Sequence, residues 1–221
     1  EDNGEASSPV SLTDYSRIPR VMRRLRFLLA LLFGFMATLV GSAIGNGSVI
    51  GGRVALAVFP GFIGAARKKF TTPIIFVMGS NGKTTTAKYL VHLAEAAGET
   101  VINNAAGSNL PTGVAALLIR NWRDIRKNKF SLAVLEIDEA YAARIAGQLK
   151  PEFALVLNVQ VDQIYRLFEP ERVRDMFANT LPFVQRQIVV NANDALLVES
   201  VSGGDLAARV SFFGLKDSGV T

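Results

Sequence analysis

Cysteine is missing from all 221 residues. Its absence removes disulfides and any thiolate zinc site, and leaves the redox compartment undecided. Histidine occurs once, as His92, with no second ligand at metal spacing, which points to a packing or surface role. Charge is scarce: Asp, Glu, Lys and Arg make up 19% of the chain against 49% apolar residues. That balance excludes wholesale disorder and supplies material for a real core, in one large or two small domains. No internal repeat is visible. The formal charge of +5 is unevenly placed, because Arg17, Arg20, Arg23, Arg24 and Arg26 crowd one stretch. No aromatic residues interleave with them, which speaks against nucleic acid and for an anionic lipid surface.

Charge disappears altogether between Phe27 and Gly45, a run of 19 residues. As a helix at ~1.5 Å per residue it would measure about 28 Å, against a hydrocarbon layer of about 30 Å. Ala30, Gly34, Thr38 and Ser42 recur at every fourth position and would form one flat face for close packing. Three readings compete. A spanning helix preceded by five arginines, with only Arg53 soon after, would keep its N-terminus inside and export the rest. A cleaved signal, with Gly41-Ser42-Ala43 as the small-residue site and Arg23-Arg24 as a faint twin-arginine pair, has the same consequence. The third reading is a helix that dips into the inner leaflet or docks on a partner while the domain stays cytoplasmic. It is preferred because it keeps the phosphate loop described next in contact with ATP, although interfacial helices usually carry a polar face that this one lacks. The expected organisation is a polar tail over 1–16, a basic and apolar helix over 17–45, a glycine-rich connector and short helix over 46–71, and an α/β domain over 72–221.

The most informative segment is Ile74-Ile75-Phe76-Val77-Met78-Gly79-Ser80-Asn81-Gly82-Lys83-Thr84-Thr85-Thr86. An apolar strand runs into a glycine turn and then into a helix start, which makes a phosphate cradle. Its N–H groups and helix dipole favour an anion, Lys83 can reach terminal phosphates, and the Thr84 hydroxyl can hold Mg²⁺. Strict Walker spacing would place glycine at position 77, which is Val77, so only the Gly-Lys-Thr part matches. From Thr72 on, strands are expected over 74–78, 100–103, 131–137, 153–158, 187–190 and 209–213. Helices are expected over 84–97, 111–121, 139–148, 170–178 and 194–200. That alternation predicts an α/β fold, a mostly parallel sheet with helices on both faces and ligands at the carboxyl ends of its strands.

Four further strand ends carry candidate chemistry. Leu132 to Ile137 is an apolar strand ending in Glu136, Asp138 and Glu139. Strand alternation puts Glu136 and Asp138 on one face, one to ligate metal and the other to cap the next helix or orient substrate. All three acids could instead be plain helix-start residues, but beside the glycine loop the metal reading is preferred for Glu136. Asn103 to Gly113 offers Asn104, Ser108 and Asn109 for a polar substrate, or for an ordinary turn ahead of Pro111. Asp162, after Asn158, could serve a second metal or a substrate amine. Asn193 or Asp194 could cap a helix or reach the nucleotide.

Taken in order, Gly79-Ser80-Asn81-Gly82-Lys83-Thr84-Thr85-Thr86, Leu135-Glu136-Ile137-Asp138-Glu139-Ala140, Asn158 with Asp162-Gln163, and Asn191-Ala192-Asn193-Asp194 resemble the P-loop-type central ATP-binding domain of the Mur ligases. Asn104 with Gly107-Ser108-Asn109, the acidic strand end, and Gly52-Arg53-Val54-Ala55 leading to Pro60 are most similar to its MurT-type branch, over roughly 21–221. The resemblance implies an ATP- and Mg²⁺-dependent carbon–nitrogen ligase. It would activate a carboxylate of a lipid-linked peptidoglycan precursor as an acyl phosphate, at the inner face of the cell membrane. In the MurT branch the carboxylate is that of D-glutamate in lipid II, and a glutamine amidotransferase subunit supplies ammonia. Lys83 and Glu136 would be catalytic. Gly79, Ser80, Asn81, Gly82, Lys83, Thr84, Thr85, Asn193 and Asp194 would hold ATP, and Thr84, Glu136 and Asp162 would hold metal. Asn104, Ser108, Asn109 and Asp138 would face substrate.

The sequence departs from the family pattern in several places. Ser80 replaces the usual threonine, and Asp162-Gln163-Ile164-Tyr165-Arg166 lacks the second acid. The 170–178 helix has Arg172 and Arg174 but no lysine to be carbamylated. The branch's cysteine zinc insertion and the family's C-terminal domain have no counterpart here, so a fragment, a chain completed by another, or lost catalysis is expected. Two alternatives stand beside the MurT-like reading: a membrane-associated poly-γ-glutamate synthetase type of ligase, and a nucleotide-binding subunit that turns nothing over.

Overall fold

The computed structural model describes residues 19–43, 49–104, 108–159, 170–202 and 204–215. Three helices come first: α1 (Arg20–Ala43), α2 (Ile50–Val58) and α3 (Phe62–Arg67). The α/β part follows as β1 (Ile74–Met78), α4 (Lys83–Ala96), β2 (Val101–Asn103), α5 (Pro111–Arg120), α6 (Trp122–Ile125) and β3 (Leu132–Glu136). It continues through α7 (Glu139–Leu149), β4 (Phe153–Val156), α8 (Pro170–Thr180), β5 (Gln187–Asn191), α9 (Ala195–Val201) and β6 (Val210–Phe213).

The six strands form one sheet in the order β2-β3-β1-β4-β5-β6, and every pairing is parallel. The chain leaves β1 to one side, builds β2 and β3, and then crosses over to β4 on the other side. That reversal opens a crevice at the carboxyl ends of β1, β3 and β4, where open α/β sheets receive ligands. Alternation along the strands sorts residues to two faces. Val77 and Val134 pack with Ala87 of α4 on one face, while Ile74, Phe76, Met78, Ala133 and Leu135 belong to the main core on the other. Helices therefore cover both faces. On the main-core side α5 is buried from Gly113 to Ile119, as expected of a helix apolar all round; its outer side meets α1 and α2.

Two boundaries moved for a visible reason. The strand expected over 153–158 ends at Val156, because Asn158 turns its peptide and amide to the glycine loop. The strand expected over 131–137 ends at Glu136, since Asp138 begins the cap of α7.

Helix α1 is long and apolar enough to cross a membrane by length and composition, yet here it lies along the domain against α2 and α5. Its buried stripe is Ala30, Gly34, Thr38 and Gly41. Ser42, expected on that stripe, is exposed, because a 3.6-residue turn makes an every-fourth pattern drift around the helix. Phe27 stacks on Phe62 at 5.1 Å and tilts against Trp122 at 5.2 Å. Glycines let the backbones touch: a Cβ on Gly51 of α2 would lie 2.0 Å from Thr38 Oγ1 and 2.5 Å from the Gly34 carbonyl. Beneath this layer, Arg67 of α3 donates to the Leu149 carbonyl at 2.6 Å and to Glu152 at 2.8 Å. Glu152 in turn accepts the Ile74 N–H at 2.7 Å, so one ion pair ties α3, the end of α7 and the entry to β1 together.

Candidate active site

The glycine loop sits at the carboxyl end of β1. Gly79 has φ +143° and Gly82 φ +83°, values that side-chain-bearing residues rarely adopt, so the turn requires glycine at both. Gly79 also presses on β4: a Cβ there would approach that of Leu157 at 2.9 Å. Gly82 is the N-cap of α4, and no side chain caps the helix or places an acid in its first turn. An uncapped helix start of this kind presents N–H donors and the positive end of the dipole to whatever lies in the loop.

Lys83 folds its ammonium back into the bowl, donating to the Gly79 carbonyl, to the Ser80 carbonyl at 3.0 Å and to Glu139 at 3.4 Å. Glu139 is only 4% exposed, so this pair is screened little by solvent. Thr84, instead of capping α4, donates its hydroxyl to Glu136 Oε2 at 2.8 Å. The loop is braced from the neighbouring strand end. Asn158 accepts the Asn81 N–H at 2.8 Å, donates to the Asn81 carbonyl at 3.0 Å, and takes the Ser80 N–H on its own carbonyl at 3.0 Å.

Glu136 is held in place from the other side. The Asn104 amide accepts the Glu136 N–H at 2.8 Å and donates to the Glu136 carbonyl at 2.8 Å, extending β2 by one pseudo-strand residue. Its second donor contact is to the Ser108 carbonyl at 3.3 Å. Ser108 Oγ receives the Leu110 N–H at 3.1 Å, and the Asn109 carbonyl receives the Asp138 N–H at 3.1 Å. Asp138, 3% exposed, accepts the Ala140 N–H at 3.1 Å as the N-cap of α7.

The structure thus gathers Gly79, Ser80, Asn81, Gly82, Lys83, Thr84, Glu136, Asp138 and Asn104 around one crevice, with Ser108 and Asn109 behind Asn104. Thr85 is exposed on the first turn of α4. Asn193 and Asp194 lie beyond β5 and are engaged there. Asn193 clasps the backbone of Leu215, with its Oδ1 2.7 Å from that N–H. Asp194 caps α9 and accepts the Val159 N–H at 2.6 Å. Asp162 lies outside the described residues. His92 is exposed on α4. Two residues join the site that the sequence left out of the candidate set. Glu139 was visible only as the third acid of a helix start, and Asn158 only as an amide at a strand end.

The arrangement suits a polyanion: a helix start without a cap, an ammonium within the loop, and a hydroxyl and a carboxylate side by side. That Thr84–Glu136 pair also fits Mg²⁺, which beside a nucleotide takes one or two protein oxygens and fills its shell with phosphates and water. No cluster of three or more metal-type side chains occurs among the described residues, and such an ion needs none.

Comparison with known proteins follows the same lines. Residues 77–218 match the Mur ligase middle domain. The MurT subunit of lipid II isoglutaminyl synthase (glutamine-hydrolyzing) from Streptococcus pneumoniae is 31% identical over 173 residues, 78% of this chain and 38% of that protein. The crystal structure of MurF from Acinetobacter baumannii superposes with a TM-score of 0.57 at 16% identity, covering 75% of this chain and 35% of the other. MurF from Thermotoga maritima, solved in complex with ADP, gives a TM-score of 0.51 at 20% identity over 69% of this chain and 36% of the other. At such identities the structural likeness speaks for the fold alone. The chain spans well under half the length of these relatives.

Proposed function

The chain belongs to the Mur ligase family through its middle domain, and from that premise we propose that it is the ATP-binding part of a MurT-type carbon–nitrogen ligase. The observation that carries the reading is the uncapped start of α4, with Lys83 in the loop and Thr84 on Glu136. In this reading the β- and γ-phosphates lie in the turn Gly79–Gly82 and take the ammonium of Lys83 from the loop carbonyls. Glu139 stays beside that ammonium and keeps it aimed. Thr84 and Glu136 hold Mg²⁺, which when bound neutralises charge on the phosphates. Asp162 is proposed as a further metal ligand, and Asn193 and Asp194 as the edge of the nucleotide site.

Asn104 acts by fixing the Glu136 backbone, and with Ser108, Asn109 and Asp138 it shapes the wall where the acceptor carboxylate would approach. The reaction is transfer of the γ-phosphoryl from ATP to a carboxylate oxygen, releasing ADP and giving an acyl phosphate; ammonia then attacks the acyl carbon, forming the amide C–N bond and releasing inorganic phosphate. Positioning and charge neutralisation supply most of the rate in such chemistry. The pneumococcal relative is named as a glutamine-hydrolysing lipid II isoglutaminyl synthase subunit. Here the acceptor is accordingly proposed to be D-glutamate of a lipid-linked precursor, at the inner membrane surface, with a glutamine amidotransferase partner as the ammonia source.

Titration calorimetry of Mg·ATP into this chain tests the reading. The native chain should bind, and Lys83→Ala should weaken binding at least about tenfold, the scale of one lost charge-assisted contact. Because that change removes the ion-pair partner of the buried Glu139, Lys83→Ala with Glu139→Gln is the control for folding. Binding unaffected by either variant, or no binding by the native chain, would overturn the ligase reading.

A further inference from the structure

The outward side of α1 leaves Leu25, Leu28, Leu32, Phe35, Leu39 and Val40 exposed, each by about half its surface or more. Interfacial helices normally answer such a face with a polar one. In α1 the opposite face is instead buried on α2 and α5, so the domain itself takes the place of the polar side. Beside this face runs a groove of about 610 Å³, a volume within the range of ligand sites. Its floor is Leu28, Leu31, Leu32 and Phe35 of α1 with Ile119 and Trp122. Its rim is cationic: Arg120, Arg123, Arg126 and Lys127. Asp124, the acid on the same short helix, is paired with Lys129 at 2.9 Å, and α1 contributes four arginines and no acid.

An apolar channel with a basic rim, continuous with an exposed apolar helix, has the chemistry of one kind of occupant. We propose that the groove between α1 and the α5–α6 corner holds one anionic phospholipid of a bilayer leaflet, its phosphate on Arg123, Arg126 and Lys127 and its acyl chain along Leu28, Leu32 and Phe35. The proposal deepens the membrane-surface part of the reading above and does not depend on nucleotide chemistry. It gives α1 an orientation: apolar face in the leaflet, arginines at phosphate level, α/β domain in the water.

Trp122 is the only tryptophan and lines the groove, so its fluorescence reports on the occupant. The full chain is mixed with phosphatidylcholine vesicles containing roughly a third phosphatidylglycerol, with the phosphatidylglycerol acyl chains either plain or brominated. Bromine should quench Trp122 emission, and vesicles of phosphatidylcholine alone should bind far more weakly. Each basic residue near an anionic surface is worth about fivefold in binding, so Arg123→Glu, Arg126→Glu and Lys127→Glu together should cost at least about a hundredfold. Raising salt should weaken the native chain in the same direction.

Emission unchanged by bromine while the chain sediments with vesicles would overturn the proposal, as would equal quenching of the triple variant. A lipid-free dimer that shields Trp122 from lipid would also overturn it, by assigning the face to a second copy. Titrating Mg·ATP into the native chain beside the quenching assay separates this from the ligase reading. Quenching retained with no ATP binding in the native chain rejects only the ligase, and ATP binding without quenching rejects only the groove.

Discussion

The side chain of Asn158 pairs with the peptide of Asn81 as a second strand would, with Asn81 N–H to Oδ1 at 2.8 Å and Nδ2 to the Asn81 carbonyl at 3.0 Å. With the Asn158 carbonyl on Ser80 N–H, the segment just past β4 thereby shapes the glycine loop that follows β1. Asn158→Ala should leave the fold intact and weaken ATP binding about tenfold, because the loop would have to be ordered at the moment of binding. Calorimetry of variant and native chains measures it, and equal affinities would show that the turn holds its shape unaided.

Thr84 and Glu136 meet at 2.8 Å although 52 positions separate them. If both serve one ion, their effects should not add. Thr84→Val and Glu136→Gln are each expected to lower Mg²⁺-dependent ATP affinity about tenfold, and the double variant little further. Additive losses would mean independent roles.

Gly51 has no room for a side chain against Thr38 and the Gly34 carbonyl. Gly51→Val should cost about 3 kcal/mol by forcing α1 and α2 apart. Urea denaturation gives the magnitude. Hydrogen exchange should show the loss of protection confined to α1 and α2, with β1 unaffected.

Glu152 accepts from both Arg67 and the Ile74 N–H. Glu152→Ala removes the carboxylate from the Arg67 guanidinium, which keeps its carbonyl partners, and leaves the Ile74 N–H without its acceptor, at a cost of about 3 kcal/mol. Glu152→Gln, which keeps an acceptor in place, should cost less. Comparing the denaturation midpoints of the two variants checks the order.

Much of this was legible from residue pattern. The apolar runs from Ile74 and Leu132 alternate with helical stretches, and each strand reads without knowledge of its neighbours because local hydrophobic period sets it. Gly79 and Gly82 mark a turn because few other residues accept those angles. The register that sets Val77 beside Glu136 was not legible, so the Asn104–Glu136 bonds were not either, and Thr84 and Glu136 were brought together only as the metal ligands that the family resemblance implies. The same limit applies to the capping acids: Asp138, Glu139 and Asp194 read alike as helix-start residues, and only position separates the one beside Lys83 from the two that cap.

The amino-acid order alone determined that this chain is an α/β protein with a glycine loop after its first strand and one long apolar helix with arginines at its start, since composition, period and glycine placement act over a few neighbouring residues. Tertiary structure decided which acid reaches Lys83, which amide braces the loop, and that α1 lies against the domain with its larger residues outward. Those outcomes depend on contacts between segments tens of residues apart, where sheet register and helix packing, not local preference, set the distances.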